Sequence, residues 1–538
     1  MAALQDVVTS DSARQAYKRD GFWDDSTLAG RVRELANRQP DAVAVVDDGG
    51  ARKTYAQLNR DSDTLASHFK AHGIQAGEVI SVQLPNRYET VVVALAIFKC
   101  GAVINTLLPG YRKKELAHVF QTASPRAIVT PVEYRGFAYA PMVRELEAET
   151  HHDIWHLQLG GSLDELLAAP HPSGPPTHAI DAAAVSELIF TSGTEASPKA
   201  IMHTEQTANF SARVAYEDMR LTPNDVVWMP SPVGHSTGFN YGLRVALYNG
   251  LELVLQDVWN AKTAATLVQQ EGCTYTLAAT TFLKDLVEEA NRQHLNLSSM
   301  QCFGCGGAPV PPDLVEAALE CGIQVLRLYG STEVLVGTWN RKGDPLDKRK
   351  FTDGVAMSHV EVELRDDDGR KVAPGAEGEI YTRGPNTCVG FFRDPDRTAA
   401  TFQDGWVKSG DLAVMDEDGY ITIVGRKKEI IIRGGMNITP REIEDMLLQF
   451  PEVYKAAVVG MPDDRLGERG CACVVVREGA SLDFSTMIDR LTTAGLAAYK
   501  LPERLEVLRD FPSTASGKIQ KHEIIRQLVE AGPPRWDR

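Results

Sequence analysis

Five short segments of this 538-residue chain gather side chains that can hold a phosphorylated ligand. The first, Thr191–Ser192–Gly193–Thr194–Glu195–Ala196–Ser197–Pro198–Lys199–Ala200, follows the apolar run Leu188–Ile189–Phe190. A short buried strand feeding a loop of small hydroxylated residues, glycine and lysine offers N–H groups, hydroxyls and an ammonium to anionic oxygens. The spacing is not that of a Walker A loop, and such a loop alone is as readily a plain turn. The second, Arg327–Leu328–Tyr329–Gly330–Ser331–Thr332–Glu333, brings an aromatic, a hydroxyl and a carboxylate to one strand end. Tyrosine can stack on a base, threonine can bond a phosphate and glutamate can hold Mg²⁺. In the third, Gly405–Trp406–Val407–Lys408–Ser409–Gly410–Asp411, a buried aspartate after glycine can accept from ribose hydroxyls. The fourth is Gly425–Arg426–Lys427–Lys428–Glu429, running on to Arg433–Gly434–Gly435–Met436–Asn437. The fifth, Pro512–Ser513–Thr514–Ala515–Ser516–Gly517–Lys518–Ile519, sets a Gly-Lys pair in a flexible loop near the C-terminus. Singly, each has a plainer reading: Tyr329 in the core, Glu333 starting a helix, Asp411 capping a turn, Arg426–Lys428 on a solvated face, Lys518 on the surface. Their order and spacing together are not those of an accident.

The elements that must position these segments read as a layered α/β protein. From the start to about Tyr420, helical patterns alternate with short β-rich runs. Asp41–Val46, Glu78–Leu84 and Ala127–Thr130 read as strands, Arg87–Cys100 and Arg112–Thr122 as helices. Such alternation predicts parallel sheets covered by helices. His171–Thr177 reads as a linker. From Phe351 to Phe392 short strands with Asp-Gly and Pro-Gly turns predict antiparallel structure, a small barrel or distorted sheet, with hairpin turns at Asp366–Gly369 and Glu417–Gly419. After Glu429 the pattern restarts as a compact α+β unit: strands at Glu429–Ile432, Tyr454–Val459 and Cys471–Val476, helices at Pro440–Leu448 and Phe484–Ala494. The tail Val529–Arg538 reads as disordered.

Composition narrows the classes. The length suits roughly three to four domain-sized units. A net charge of −16 disfavours nucleic acid or an anionic membrane as the main partner, without excluding a local basic site. Met1–Asp20 has no apolar core of a signal peptide, and the apolar run Val91–Phe98 is too short to span a bilayer; the expectation is a soluble, cytoplasmic protein without a transmembrane segment. Cys302 and Cys305 form a CxxC, but no second pair sits at metal-ligand spacing, and their apolar neighbours suggest buried strand-end thiols. Cys471 and Cys473 are read in the same way.

In these five segments the chain resembles the adenylate-forming superfamily of acyl- and aryl-CoA ligases, peptide-synthetase adenylation domains and luciferases. The likeness runs from about Leu28 to Leu528. Gly234–His235–Ser236–Thr237–Gly238–Phe239 and Arg433–Gly434–Gly435–Met436–Asn437–Ile438 resemble most the bacterial short- to medium-chain fatty acyl-CoA and cyclohexanecarboxylate-CoA ligases. The resemblance implies a large N-terminal domain (1–427) of two αβ-layered sheets plus a small β-barrel, and a small mobile α+β C-terminal domain (428–538) hinged near Lys428. It implies ATP, Mg²⁺ and coenzyme A, a small carboxylic acid as substrate, and allows a homodimer.

The same resemblance assigns roles. Lys518 would bridge carboxylate and α-phosphate, Glu333 would hold Mg²⁺ together with Thr194, and Thr332 would contact the α-phosphate. Thr191, Ser192, Gly193, Thr194 and Lys199 would cradle the outer phosphates. Tyr329, with the Gly306–Gly307–Ala308 backbone, would frame adenine, Gly330 and Ser331 would belong to the same nucleotide site, and Asp411 and Arg426 would hold the ribose. Rotation at Lys428 would withdraw Lys518 and bring in Gly434 and Gly435 to line a pantetheine tunnel. His235 would orient the acyl group or gate the thiol, or else wall the pocket. The acyl pocket would take Trp228, Val233, Gly238, Phe282 and Gly304, mostly apolar or small, which suits an uncharged aliphatic or alicyclic acid. The family usually has glycine where Ala196 and Ala200 stand, so a stiffer, crowded loop is expected. Two other readings remain: an adenylation enzyme that loads a carrier-protein thiol, and a nucleotide-sensing scaffold with a degenerate loop.

Overall fold

The computed structural model describes residues 8–150, 153–170, 180–191, 198–513, 518–532 and 536–537. The linker expected at His171–Thr177 and most of the two Ser/Thr-rich loops lie outside these residues.

Two largely parallel sheets organise the N-terminal part. The larger runs, edge to edge, through Val355–Ala356, Leu335–Trp339, Val325–Ser331, Cys302–Gly306, Tyr275–Ala278, Val226–Met229, Glu252–Leu255, Val43–Asp47 and Arg52–Thr54. Its six central strands are parallel. The smaller runs through Ala200–Thr204, Val185–Phe190, Val103–Thr106, Val79–Val82, Ala127–Pro131 and Trp155–Leu159, parallel except for its first member.

Hydrophobic patterning stacks these sheets into five layers. The helix Tyr88–Lys99 is apolar on nearly every face and buried along almost its whole length, as expected of a helix held between two sheets. It shares one core with Ile80 and Ile104 of the smaller sheet and Val45, Val227 and Leu253 of the larger. A second cluster covers the other face of the larger sheet, where Trp228, Val254 and Phe303 meet Leu283, Leu286 and Val315. A third covers the other face of the smaller sheet, with Val79 and Ile128 against Phe120 and Val143. Lys99, nearly inaccessible at the end of its helix, is held by Asp63 at 2.8 Å and Ser62 Oγ at 2.8 Å, as a buried ammonium must be.

The β-rich block is an antiparallel sheet of Glu361–Arg365, Glu377–Arg383, Trp406–Met415 and Phe402–Gln403, with Ile421–Arg426 also paired to the long strand. The expected barrel is corrected to an open sheet, because its outer strands do not pair among the described residues. Closure needs a last strand that can ladder onto the first, and the two-residue Phe402–Gln403 offers almost none. The predicted turns form, with Gly369 N–H on Asp366 and Gly419 N–H on Asp416.

The C-terminal part builds its own sheet from Met436–Ile438, Ile431–Arg433, Gly467–Val476 and Val453–Asp463, with Arg504–Val507 parallel to the third of these. Helices Pro440–Leu447 and Phe484–Thr493 cover one face, and Lys521–Glu530 covers the other. Two expectations shift. Lys427–Glu429 is a 3₁₀ turn before the strand Ile431–Arg433. The tail is ordered where it is described: Glu530 ends a helix, Trp536 lies 4.3 Å under the Arg469 guanidinium, and Asp537 donates to the Glu503 carbonyl and accepts from Leu505 N–H. A large ring and a paired carboxylate supply the packing that a proline-rich ending seemed to lack.

Candidate active site

The site grows from the carboxyl ends of two neighbouring strands, Cys302–Gly306 and Val325–Ser331. The second reverses into Leu335–Trp339 through a turn so tight that a Cβ on Gly330 would lie 2.0 Å from the Leu335 carbonyl oxygen. Only glycine fits there, and the chain that emerges carries Ser331, Thr332 and Glu333 at the strand end. The Glu333 carbonyl accepts from Cys388 N–H at 2.8 Å. The Thr332 carbonyl faces His203 Nε2 at 2.8 Å, while His203 Nδ1 faces the Thr207 hydroxyl at 3.1 Å. His203 is fully buried, and burial lowers its pKa, so the ring is neutral with its proton on Nε2.

Tyr329, Asp411 and Arg426 come together from three strands. The Tyr329 hydroxyl donates to Asp411 at 2.8 Å, and Arg426 Nε lies 2.9 Å from the other Asp411 oxygen. Burial raises the Asp411 pKa and Arg426 opposes it; burial and the Asp411 charge push the Tyr329 hydroxyl well above its ordinary value. Arg327 fixes the strand behind them, donating twice to Asp353, whose other oxygen accepts from Ile423 N–H at 2.9 Å. Sequence reasoning missed His203 and gave Arg327, though within the second segment, no role. The signal for both was a charged or ring-nitrogen residue in a strand otherwise apolar.

The phosphate loop is described only at its two ends. Thr191 and Lys199 clamp it shut: Thr191 N–H donates to the Lys199 carbonyl at 3.0 Å, and Lys199 N–H donates to Thr191 Oγ1 at 3.1 Å. Lys199 Nζ lies 3.6 Å from Glu333 Oε1, so an ammonium and a carboxylate meet at the mouth of the loop. Ser192, Gly193, Thr194 and Ala196 lie outside the described residues. Ala200 does not crowd the loop as expected: it opens the strand Ala200–Thr204, and its methyl packs in the third core cluster.

Lys518 reaches this cleft from the C-terminal part. A Cβ on Gly307 would meet Lys518 Cε at 3.7 Å. Protein mass surrounds the ammonium while solvent still touches it, as in an open cleft; desolvation, then Arg426, lower its pKa against the raising effect of Asp411 and Glu333. His235 feels the same cation. Burial, then Lys518, bring its pKa down to about 4. His235 Nδ1 accepts from Thr237 N–H at 3.2 Å, capping the short helix Ser236–Gly238, which leaves the proton on Nε2. Gly306, Gly307 and Ala308 follow the strand end, the last two exposed.

The expected acyl-pocket residues divide between two faces of one sheet. Val233 belongs to the first core cluster, and Gly304 sits against Leu277 and Leu328 of that cluster. Gly238 packs against the Pro232 carbonyl. Trp228 points the other way, since successive side chains of a strand alternate and its neighbours Val227 and Met229 fill the first cluster. It packs on Phe303 and Trp259, and Phe282 joins Trp259 from the same side. Lys428 lies exposed in the 3₁₀ turn, and Gly434 and Gly435 form the exposed hairpin turn after Ile431–Arg433. Gly435 takes φ +84° there, a region that favours glycine. The CxxC thiols are buried and free, and burial pushes both up to about 12. A separate surface cleft of about 500 Å³, lined by Arg87, Glu89, Tyr134 and Asp164 among others, contains none of these residues.

Comparison with known proteins gives one answer along the whole chain. Residues 32–392 match the AMP-binding enzyme family and residues 442–518 the AMP-binding enzyme C-terminal domain. A medium-chain fatty-acid–CoA ligase of Escherichia coli is 38% identical over 541 residues, covering 97% of this chain and 94% of that protein. A salicyl-AMP ligase/salicyl-S-ArCP synthetase of Mycobacterium tuberculosis is 31% identical, covering 96% and 94%. The ATP-bound MatB of Rhodopseudomonas palustris superposes with a TM-score of 0.84 at 26% identity, over 94% of this chain and 99% of that one. The chain is a member of the AMP-binding enzyme family, an enzyme of the adenylate-forming acyl- and aryl-CoA ligase superfamily.

Proposed function

We propose that the protein activates a short- to medium-chain or alicyclic carboxylic acid with ATP and passes the acyl group to the thiol of coenzyme A. In the first half-reaction a carboxylate oxygen attacks the α-phosphorus of ATP, giving acyl-AMP and pyrophosphate. Both reactants are anions, so the site must supply charge and alignment more than acid–base chemistry. Lys518 spans the carboxylate and the α-phosphate, with Thr332 on the same phosphate. Thr191 and Lys199, with Ser192, Gly193 and Thr194, hold the outer phosphates. Tyr329 and the chain at Gly306–Ala308 frame the base, and Asp411 with Arg426 binds the ribose. His235, neutral and carrying its proton on Nε2, donates to the acyl oxygen.

The oxygen donors fit Mg²⁺. Among the described residues no three His, Cys, Asp or Glu side chains gather as a metal cage, and Mg²⁺ is commonly held by one or two carboxylates plus substrate phosphates. Glu333 is the carboxylate in place, with Thr194 as the proposed second ligand. The ion would neutralise phosphate charge.

In the second half-reaction the CoA thiol attacks acyl-AMP and expels AMP. We propose a division at 427/428, with Lys428 as the pivot that exchanges Lys518 for the Gly434–Gly435 turn. The wall at Val233, Gly238, Gly304, Leu277 and Leu328 suits an uncharged acyl chain, as does the 38% identity to a medium-chain fatty-acid–CoA ligase. Among the described residues no helix is long and apolar enough to cross a membrane; the proposed location is cytoplasmic. A homodimer would leave this chemistry within each chain.

The observation that carries this reading is Lys518, from the far end of the sequence, lodged beside Gly307 and within the field of Asp411, Glu333 and His235. Carboxylate-dependent pyrophosphate release across hexanoate, octanoate, dodecanoate, cyclohexanecarboxylate and benzoate, scored by kcat/KM and followed by a CoA thioester assay, tests it. The aliphatic or alicyclic acids should lead. The likeness to a salicyl-S-ArCP synthetase favours a second reading, loading of a carrier-protein thiol. An acyl-adenylate that forms but never transfers to CoA would establish that one instead.

A further inference from the structure

The domain arrangement that lodges Lys518 in the cleft brings a second pair of side chains together across the two parts of the chain. Lys284 lies on the helix Thr280–Gln293, in the layer that backs Tyr275–Ala278 and Cys302–Gly306. Its ammonium sits 3.7 Å from the centroid of the Tyr454 ring and donates to the Tyr454 carbonyl at 3.4 Å. Tyr454 belongs to Val453–Asp463, which pairs with Gly467–Val476 alone and so forms an edge of the C-terminal sheet among the described residues. Both residues are half-buried. Two further cations, Lys455 at 5.6 Å and Arg477 at 5.9 Å, also look onto that ring; Lys455 is drawn aside by Asp510 at 2.6 Å. Lys284 is thus the cation seated closest on the ring, against repulsion from its neighbours. Protein around it lowers its pKa, with Arg477 adding to the effect. Glu288 and Asp285 of its own helix oppose that lowering, and the Tyr454 ring and carbonyl add a seat for the cation from the other part of the chain.

We infer that the Lys284–Tyr454 contact is a latch that positions the C-terminal domain, and through it Lys518, for the first half-reaction. Lys284 touches no expected substrate atom and is a positioning residue. The inference rests on the two-stage reading above, because a latch of this kind must open when the domain turns at Lys428. The same pair therefore biases the enzyme toward adenylation and is absent during thioester formation.

The test uses the full-length enzyme with octanoate, and separately with supplied octanoyl-AMP and CoA. Lys284→Ala is expected to slow octanoate-dependent pyrophosphate release about three- to tenfold, the range of a partly desolvated cation–π contact, and to leave consumption of supplied octanoyl-AMP unchanged or faster. Lys284→Arg, which keeps a cation over the ring, is expected to restore most of the rate. Tyr454→Ala, which removes the ring and keeps the carbonyl, should slow release in the same direction and by no more than Lys284→Ala, and the double variant should be no slower than Lys284→Ala, since two residues sharing one contact are not additive. Equal losses in both half-reactions, an unchanged pyrophosphate rate, or additive single effects would overturn the latch. Lys518→Ala separates the two claims. If Lys518→Ala keeps pyrophosphate release, the two-stage reading fails; if it abolishes release while Lys284→Ala does not slow it, the latch alone fails.

Discussion

In the proposed first half-reaction Lys518 acts only while it is charged, and its surroundings bring deprotonation closer. Desolvation and Arg426 set its pKa below the ordinary 10.5. If the charged form stabilises the encounter, as proposed, adenylation falls as pH rises through that lowered value. The prediction is an alkaline limb in kcat/KM for the first half-reaction that begins below pH 10.5. Lys518→Arg, permanently charged, should flatten the limb whatever it does to the plateau. His235, at about 4, stays neutral through the physiological range, so no inflection near its ordinary 6.5 should appear on its account. Asp411 accepts from both Tyr329 and Arg426. Asp411→Ala should raise KM for ATP about tenfold to a hundredfold, the value of a charge-assisted hydrogen bond or two, and ATP titration of pyrophosphate release measures it. The candidate residues were visible in the sequence because their types are chemically particular. Trp228 lies on the opposite face of the sheet from Val233 and Gly304 because a strand's two faces differ by one residue of register, which an apolar run does not reveal, and Phe282 joins it from the helix Thr280–Gln293. His203 was hidden because its visible work is internal: it is buried and holds the Thr332 backbone.

At the scale of elements, the parallel strands and their helices were legible from the lengths and alternation of apolar runs. Tyr88–Lys99 lies within one residue at each end of its expected span, and Lys113–Ala123 is equally close. The β-rich block was harder, since alternation predicts strands but not whether the first meets the last. The tail was misread because its order depends on Trp536 and Asp537 finding partners more than thirty residues away. The hairpin carrying Gly434 and Gly435 is the element for which a second role is proposed. In this arrangement a Cβ on Gly435 meets nothing within 4 Å, so Gly435→Leu should leave pyrophosphate release within a few-fold, at a backbone cost of about 1 kcal/mol for a side chain at positive φ. It should block thioester formation from supplied acyl-AMP if that turn lines the thiol tunnel. Loss of adenylation and retention of thioester formation would place the turn elsewhere.

For the whole molecule, the two layered sheets form a fixed platform, and the C-terminal part brings the cation to it. The surface as a whole is acidic, with a net charge of −16, yet Lys199, Arg426 and Lys518 converge on one cleft from three distant stretches of chain. That convergence could not be read from spacing alone: 319 residues separate Lys199 from Lys518 (518 − 199), and only the fold closes the distance. The most direct measurement is a comparison of half-reactions in Lys518→Ala. Carboxylate-dependent pyrophosphate release should fall at least about a hundredfold, in line with losing one preorganised charge contact to a transition state, while supplied acyl-AMP and CoA should still yield acyl-CoA at close to the unmodified rate. A variant that released pyrophosphate normally, or that lost both halves alike, would contradict the account.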